Sequence, residues 1–122
     1  MQIQKHIITN LPLFNIDDTF EKVLDFFKES TYSHIAIVEK GRFLGVFSEN
    51  DIDAIDAKEK IDAYRYDLQT FFATKETNWL DVLEAFARNE ANLLPILGNE
   101  EQVLGYYDLT DIVTVFIDTP FF

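Results

Sequence analysis

Apolar residues recur along this chain with two different periods, and the alternation between those periods happens twice. From Phe20 to Phe27 the large apolar residues Phe20, Val23, Leu24 and Phe27 stand at i, i+3, i+4 and i+7, which places them on one face of a helix. Trp79, Val82, Leu83 and Phe86 repeat that spacing at an offset of 59 residues. Residue types that cap helix amides precede both runs: Asp17, Asp18 and Thr19 in the first, Thr77 and Asn78 in the second. The same offset lays His34 to Val38 on Leu93 to Leu97, two short and wholly apolar runs that fit strands covered on both faces. A turn follows each, Lys40-Gly41 in the first copy and Gly98 to Glu101 in the second. The second copy carries one inserted residue here. Beyond it the offset is 60: Arg42 to Phe47 matches Gln102 to Tyr107, and Asp51-Ile52 matches Asp111-Ile112. A second helix is expected in each copy, carrying Ile52 and Ile55, then Ile112, Val115 and Phe116.

With lead-in strands at Leu11 to Phe14 and Thr70 to Ala73, each half reads as β-α-β-β-α. The expectation is an α/β (α+β) fold of two pseudo-symmetric repeats, 1–60 and 61–122, packed sheet to sheet. Neither half, at roughly 50 residues, would bury enough surface alone, so a shared core is required. The connector, about 57–69, is charged and aromatic without Gly or Pro, which predicts an ordered and partly helical segment. The chain ends on Thr119-Pro120-Phe121-Phe122, and two phenylalanines there fit either a longer protein or a tail docked on a partner chain.

Composition narrows the classes of function. The absence of cysteine excludes disulfides, thiolate metal sites and cysteine nucleophiles. A net charge of -12 disfavours nucleic acid and anionic membranes, because phosphate binding needs clustered Lys and Arg. No apolar run approaches the ~20 residues of a membrane span. The expectation is therefore a soluble, cytoplasmic protein with no nucleic-acid and no membrane partner.

Candidate chemistry concentrates where the apolar alternation ends. Ser48-Glu49-Asn50-Asp51 is close to a capping box, which satisfies the first free amides of a helix. The exposed amino terminus of a helix also suits an anion. In the second copy Asp108 stands where Ser48 stands in the first; it can still cap, but an ionised carboxylate accepts only and repels phosphate. Asp51, Asp53 and Asp56 do not make a calcium loop, since Ile55 takes a ligand position and no glycine follows. His6 and His34 lack a third partner at metal spacing, and His34, opening a buried strand, reads as structural. Asp17-Asp18 and Glu100-Glu101 read as capping and turn residues. No nucleophile-base set, phosphate loop or metal cluster points to an enzyme.

The tandem units, each closing on Gly-apolar-apolar-(Ser/Thr)-x-x-Asp-apolar, resemble a pair of CBS domains, the cystathionine-beta-synthase-type regulatory module. Gly45 to Ile52 fits the pattern fully; Gly105 to Ile112 departs from it at Asp108. Leu94-Pro95-Ile96-Leu97 carries the apolar-x-Pro-apolar step usual in the middle strand, where the first copy has Ala36. The resemblance runs from about Leu11 to Phe116, and some members of this kind resemble acetoin-utilisation-type regulators. It implies a non-catalytic sensor that binds an adenosine-containing ligand between the halves and modulates a partner domain. AMP, ADP, ATP and S-adenosylmethionine are the ligands it admits. By analogy Ser48 and Asp51 serve the first cleft and Asp111 the second, with backbone at His34-Ile35 and Leu93-Leu94 framing the base. It also implies a homodimer, and a fused domain, C-terminal for example, in a longer product. The alternative is a ligand-free dimerisation module. Lys40, Arg42, Lys58, Lys60 and Arg65 lie near the first motif in sequence, whereas no cation follows Arg88. A phosphorylated ligand is therefore expected in the first cleft, and in the second only with cations brought by the other half.

Overall fold

A computed structural model describes residues 2–118 of the protein. Thr119 to Phe122, on which the expectation of a docked tail falls, lie outside the described residues. The elements run β1 (Phe14–Asn15), α1 (Glu21–Glu29), β2 (His34–Glu39), β3 (Arg42–Ser48), α2 (Glu49–Ile52), α3 (Trp79–Asn89), β4 (Leu93–Leu97), β5 (Val103–Asp108) and α4 (Leu109–Asp118). A 3-10 segment over Ile61–Asp67 lies in the connector, and shorter ones lie at Gln4–His6 and Asn99–Glu101. The mixed α/β class and the doubled architecture follow the hydrophobic pattern.

Strand β2 lies between β1, parallel to it, and β3, antiparallel; β4 and β5 form the equivalent antiparallel pair. Lys40 and Gly41, both at positive φ, make the two-residue turn between β2 and β3 that suits the twist of a hairpin. One core holds both halves together. Val23 and Phe27 of α1 and Val82 and Phe86 of α3 bury their apolar stripes against it, and Ile35, Ile37, Leu94 and Ile96 fill it from the strands.

The lead-in segments are exchanged. Ile8 pairs with Tyr106 of the second sheet before the chain returns to its own half at β1, where Phe14 lies beside Ile37. Sixty or so residues later the connector repeats the move: Gln69 pairs with Val46 of the first sheet, and Ala73 then lies parallel to Ile96. Gly45 and Gly105 make this possible. A Cβ on Gly45 would stand 2.6 Å from the Gln69 carbonyl oxygen, and one on Gly105 would overlap the Ile8 carbonyl oxygen.

Two local expectations are corrected. Asp17, Asp18 and Thr19 do not cap α1, whose preceding residue Phe20 makes no side-chain cap. They shape a turn instead: Asp18 accepts from the Asn15 amide at 3.2 Å, and Asn15 accepts from the Asp17 amide at 3.1 Å. That turn holds the connector through Phe20 N–H to Glu59 O and Ile61 N–H to Asp18 O, both 3.0 Å. The helix after the first motif stops at Ile52, leaving Ile55 outside it, because the chain must bend back to meet Phe20; the Asp56 carboxylate, accepting from Lys58 N–H at 2.8 Å, turns it. In the second half Asn78 caps α3 as expected, accepting from Asp81 N–H at 2.9 Å.

Candidate functional site

The two Asp-bearing lips sit at the amino termini of α2 and α4 and have become chemically different. At the first, β2 and β3 bring His34 opposite Ser48. Ser48 Oγ accepts from Asp51 N–H at 3.2 Å, so the capping half of the expected box is present. His34 and Ser48 are buried while Asp51 is exposed. The Asp51 carboxylate already has a partner: Gln69, from the exchanged connector, donates Nε2–H to Oδ2 at 3.0 Å. His34 is satisfied in the way a structural histidine should be, with Nδ1 2.7 Å from Ser33 Oγ and its ring edge-on to Phe71. Burial lowers its pKa from the ordinary 6.5, and the Asp51 charge partly opposes that. Ile35 and Leu94 are fully buried, so only their backbone could frame a ligand. Since α2 is a single turn, its dipole offers little to an anion.

Three of the five cations assigned by sequence proximity to this lip, Arg42, Lys60 and Arg65, are engaged elsewhere. Arg42 is at the far end of β3 from Ser48, about 20 Å away at strand rise, and pairs with Glu101 at 3.5 Å. Arg65 forks onto Glu39 and Asp62, both at 2.8 Å, which raises its pKa and holds the Glu39 carboxyl below its usual value. Lys60 Nζ donates to the Asp17 carbonyl at 3.4 Å. These partners draw Arg42, Lys60 and Arg65 away from the first lip, which weakens the expectation that the first cleft is the cationic one.

At the second lip Asp108 caps α4, accepting from Thr110 N–H at 2.8 Å and Asp111 N–H at 3.3 Å. Across the halves, burial and the nearby Asp108 carboxylate raise the pKa of the Tyr32 phenol. Asp111 opens onto a cavity of 770 Å³ lined also by Gln2, Lys5, His6, Thr114 and Asp118. Lys5 and His6 arrive on the exchanged amino-terminal segment, held to β5 by Ile8 N–H to Tyr106 O at 2.8 Å and Tyr106 N–H to Ile8 O at 2.9 Å. Lys5 thus brings an ammonium group from the first half to the second lip. The places of Lys5, His6 and Gln69 at the lips are not legible from nearness in sequence, because each reaches its lip only through the exchange of segments. The signal was the polar-apolar run before Ile8, aligned with the connector before Gln69.

Against known proteins, a family model described as the CBS domain matches residues 4–57. The chain folds as a CBS domain pair. A CBS domain pair/ACT domain protein from Thermotoga maritima superposes with a TM-score of 0.82 at 20% identity, covering 97% of this chain and 98% of that one. The CBS domain of a bacterial CNNM/CorC family Mg2+ transporter, solved in complex with ATP, gives 0.72 at 13% identity over 98% of this chain and 89% of that one. In sequence, an uncharacterized protein of Methanocaldococcus jannaschii is 23% identical over 116 residues. That alignment takes in 93% of this chain but 43% of the relative, so the chain spans less than half of its relative's length. Among the described residues no group of three His, Cys, Asp or Glu is placed to hold a metal ion, and no helix is long and apolar enough to cross a membrane.

Proposed function

We propose that this CBS pair is a non-catalytic regulatory module that binds an adenosine nucleotide at the second cleft and so modulates a fused or separate partner. The observation that carries the reading is the 770 Å³ cavity in which Asp111 faces Lys5 and His6. Its volume falls in the range of about 300–1,000 Å³ usual for small-molecule sites. Asp111 has the position and chemistry to accept from ribose hydroxyls, and the Lys5 ammonium is the point charge a phosphate needs. Asp118 and Asp111 oppose more than one phosphate, so AMP binds at least as tightly as ATP when Mg2+ is absent. The ATP complex of the transporter domain supports adenine nucleotides as the class to test.

Thermal melting with adenosine, AMP, ADP, ATP and S-adenosylmethionine, each with and without Mg2+, tests whether the module binds. A ligand at 100 times its dissociation constant stabilises the fold by about 2.7 kcal/mol, a plain rise in melting temperature. Lys5→Ala keeps the fold and loses most of that rise for AMP but not for adenosine. If no ligand raises the melting temperature at millimolar concentration, the module is a dimerisation element instead. That second reading has its own support: Leu80 of α3 and Val113 and Ile117 of α4 are 60%, 38% and 71% exposed on adjoining helices, an apolar face suited to a second copy.

A further inference from the structure

One pair of residues joins the two halves at the point where both lips begin. Ser33 and Asn92 occupy equivalent positions, immediately before β2 and β4. Ser33 N–H donates to Asn92 Oδ1 at 2.7 Å, and Asn92 N–H donates to Ser33 Oγ at 2.9 Å, closing a reciprocal clasp between the repeats. Asn92 Nδ2 adds a bond to the Thr31 carbonyl at 2.8 Å. The clasp also reaches both motif helices. Glu49, the first residue of α2, donates its N–H to the Ser33 carbonyl at 2.8 Å, and Leu109, the first residue of α4, donates to the Asn92 carbonyl at 3.0 Å. Asp51 and Asp111 each lie two residues farther on.

Ser33 Oγ is also 2.7 Å from His34 Nδ1, and a hydroxyl has one hydrogen to give. With the Asn92 amide pointing at the oxygen, sending that hydrogen to a bare Nδ1 satisfies both sides of the Ser33–His34 contact and leaves the imidazole proton on Nε2. Protonating His34 turns Nδ1 into a donor. The Ser33 hydroxyl must then swing its hydrogen away and use its two lone pairs to accept from both His34 and the Asn92 amide, which reorients the oxygen that Asn92 N–H meets. Asp51 on α2 is the charged group that faces the ring, and Phe71 from the exchanged connector covers its edge.

We propose that the Ser33–Asn92 clasp is a coupling device that transmits the state of the first cleft, sensed at His34, to the start of α4 and hence to Asp111 in the second. The bistable element is the Ser33 hydroxyl, which donates to His34 in one state and accepts from it in the other, and the two lips are biased through it. The coupling needs no ligand in order to be measured.

Amide and imidazole resonances of labelled protein carrying His6→Gln, so that His34 is its one histidine, are followed from about pH 8 to about pH 5. The Asn92 and Leu109 amides shift with the midpoint of the His34 ring. In Ser33→Ala the ring still titrates but the Leu109 shift falls to that of residues remote from the clasp, and Ser33→Thr, which keeps a hydroxyl, restores it. Three results overturn the proposal: Leu109 fixed while His34 titrates, Leu109 following undiminished in Ser33→Ala, or a His34 ring that does not titrate in this range. The first and third are read without the Ser33 variants, so a poorly folding variant does not protect the idea.

Discussion

At the scale of single residues, two adjacent tyrosines make opposite predictions. Tyr106 is buried with its hydroxyl accepting from the Ala36 amide at 3.1 Å, across the interface between repeats. The equivalent of Ala36 is Pro95, which has no amide to satisfy, so the apparent lapse in the first copy's strand pattern is compensated by a hydroxyl from the second. Tyr106→Phe leaves that buried N–H unpaired and should cost about 1–3 kcal/mol in urea unfolding at unchanged slope. The Tyr107 hydroxyl is buried with no hydrogen-bond partner among the described residues, and burial raises its pKa. Tyr107→Phe should leave stability unchanged or raise it; a loss comparable to that of Tyr106→Phe would show a partner that this arrangement lacks. His34 supplies a pH dependence. Its folded pKa lies below the ordinary 6.5, so the unfolded chain binds the proton more readily. Its contribution is complete above 6.5 and is lost as pH falls below 6.5 through the folded value. Urea melts should show this loss in the wild type and less of it in His34→Leu, the residue type that Leu93 already supplies at the equivalent position. The Ser48 cap was legible from spacing alone, because a cap is a local contact. Gln69 on Asp51 was not, since the two are 18 residues apart and meet only through the exchange.

At the scale of elements, the exchanged segments decide what each lip contains. Gly45 and Gly105 were legible as pattern but not as cause; the cause is a carbonyl oxygen that lies where a side chain would begin. Gly105→Ala should displace the Ile8 segment, cost about 1–3 kcal/mol as an overpacked contact does, and remove Lys5 and His6 from the second cleft. Gly45→Ala should disturb Gln69 and leave nucleotide binding at the second cleft in place. Titration of both variants with AMP distinguishes them, and equal loss of binding would contradict the assignment. The helical period correctly announced α1 and α3, whose buried stripes are long. It overstated α2, where Ile52 and Ile55 keep the spacing but the connector's bonds to Phe20 and Asp18 bend the chain after one turn.

At the scale of the whole molecule, the doubled pattern was legible because each half must bury its apolar face against the other. The distribution of charge between the clefts was not, because nearness in sequence says little about which side of a strand, or which half, a cation reaches. The apolar row at Leu80, Val113 and Ile117 predicts a dimer, with light scattering giving twice the mass of one chain and Ile117→Glu reverting it to 14.2 kDa. The central claim is that the nucleotide sits at Asp111 and not at Asp51. Calorimetric titration of AMP into wild type, Asp51→Asn and Asp111→Asn tests it most directly. Affinity retained in Asp51→Asn and reduced at least tenfold in Asp111→Asn, about 1.4 kcal/mol, is the predicted result; the reverse order would contradict it.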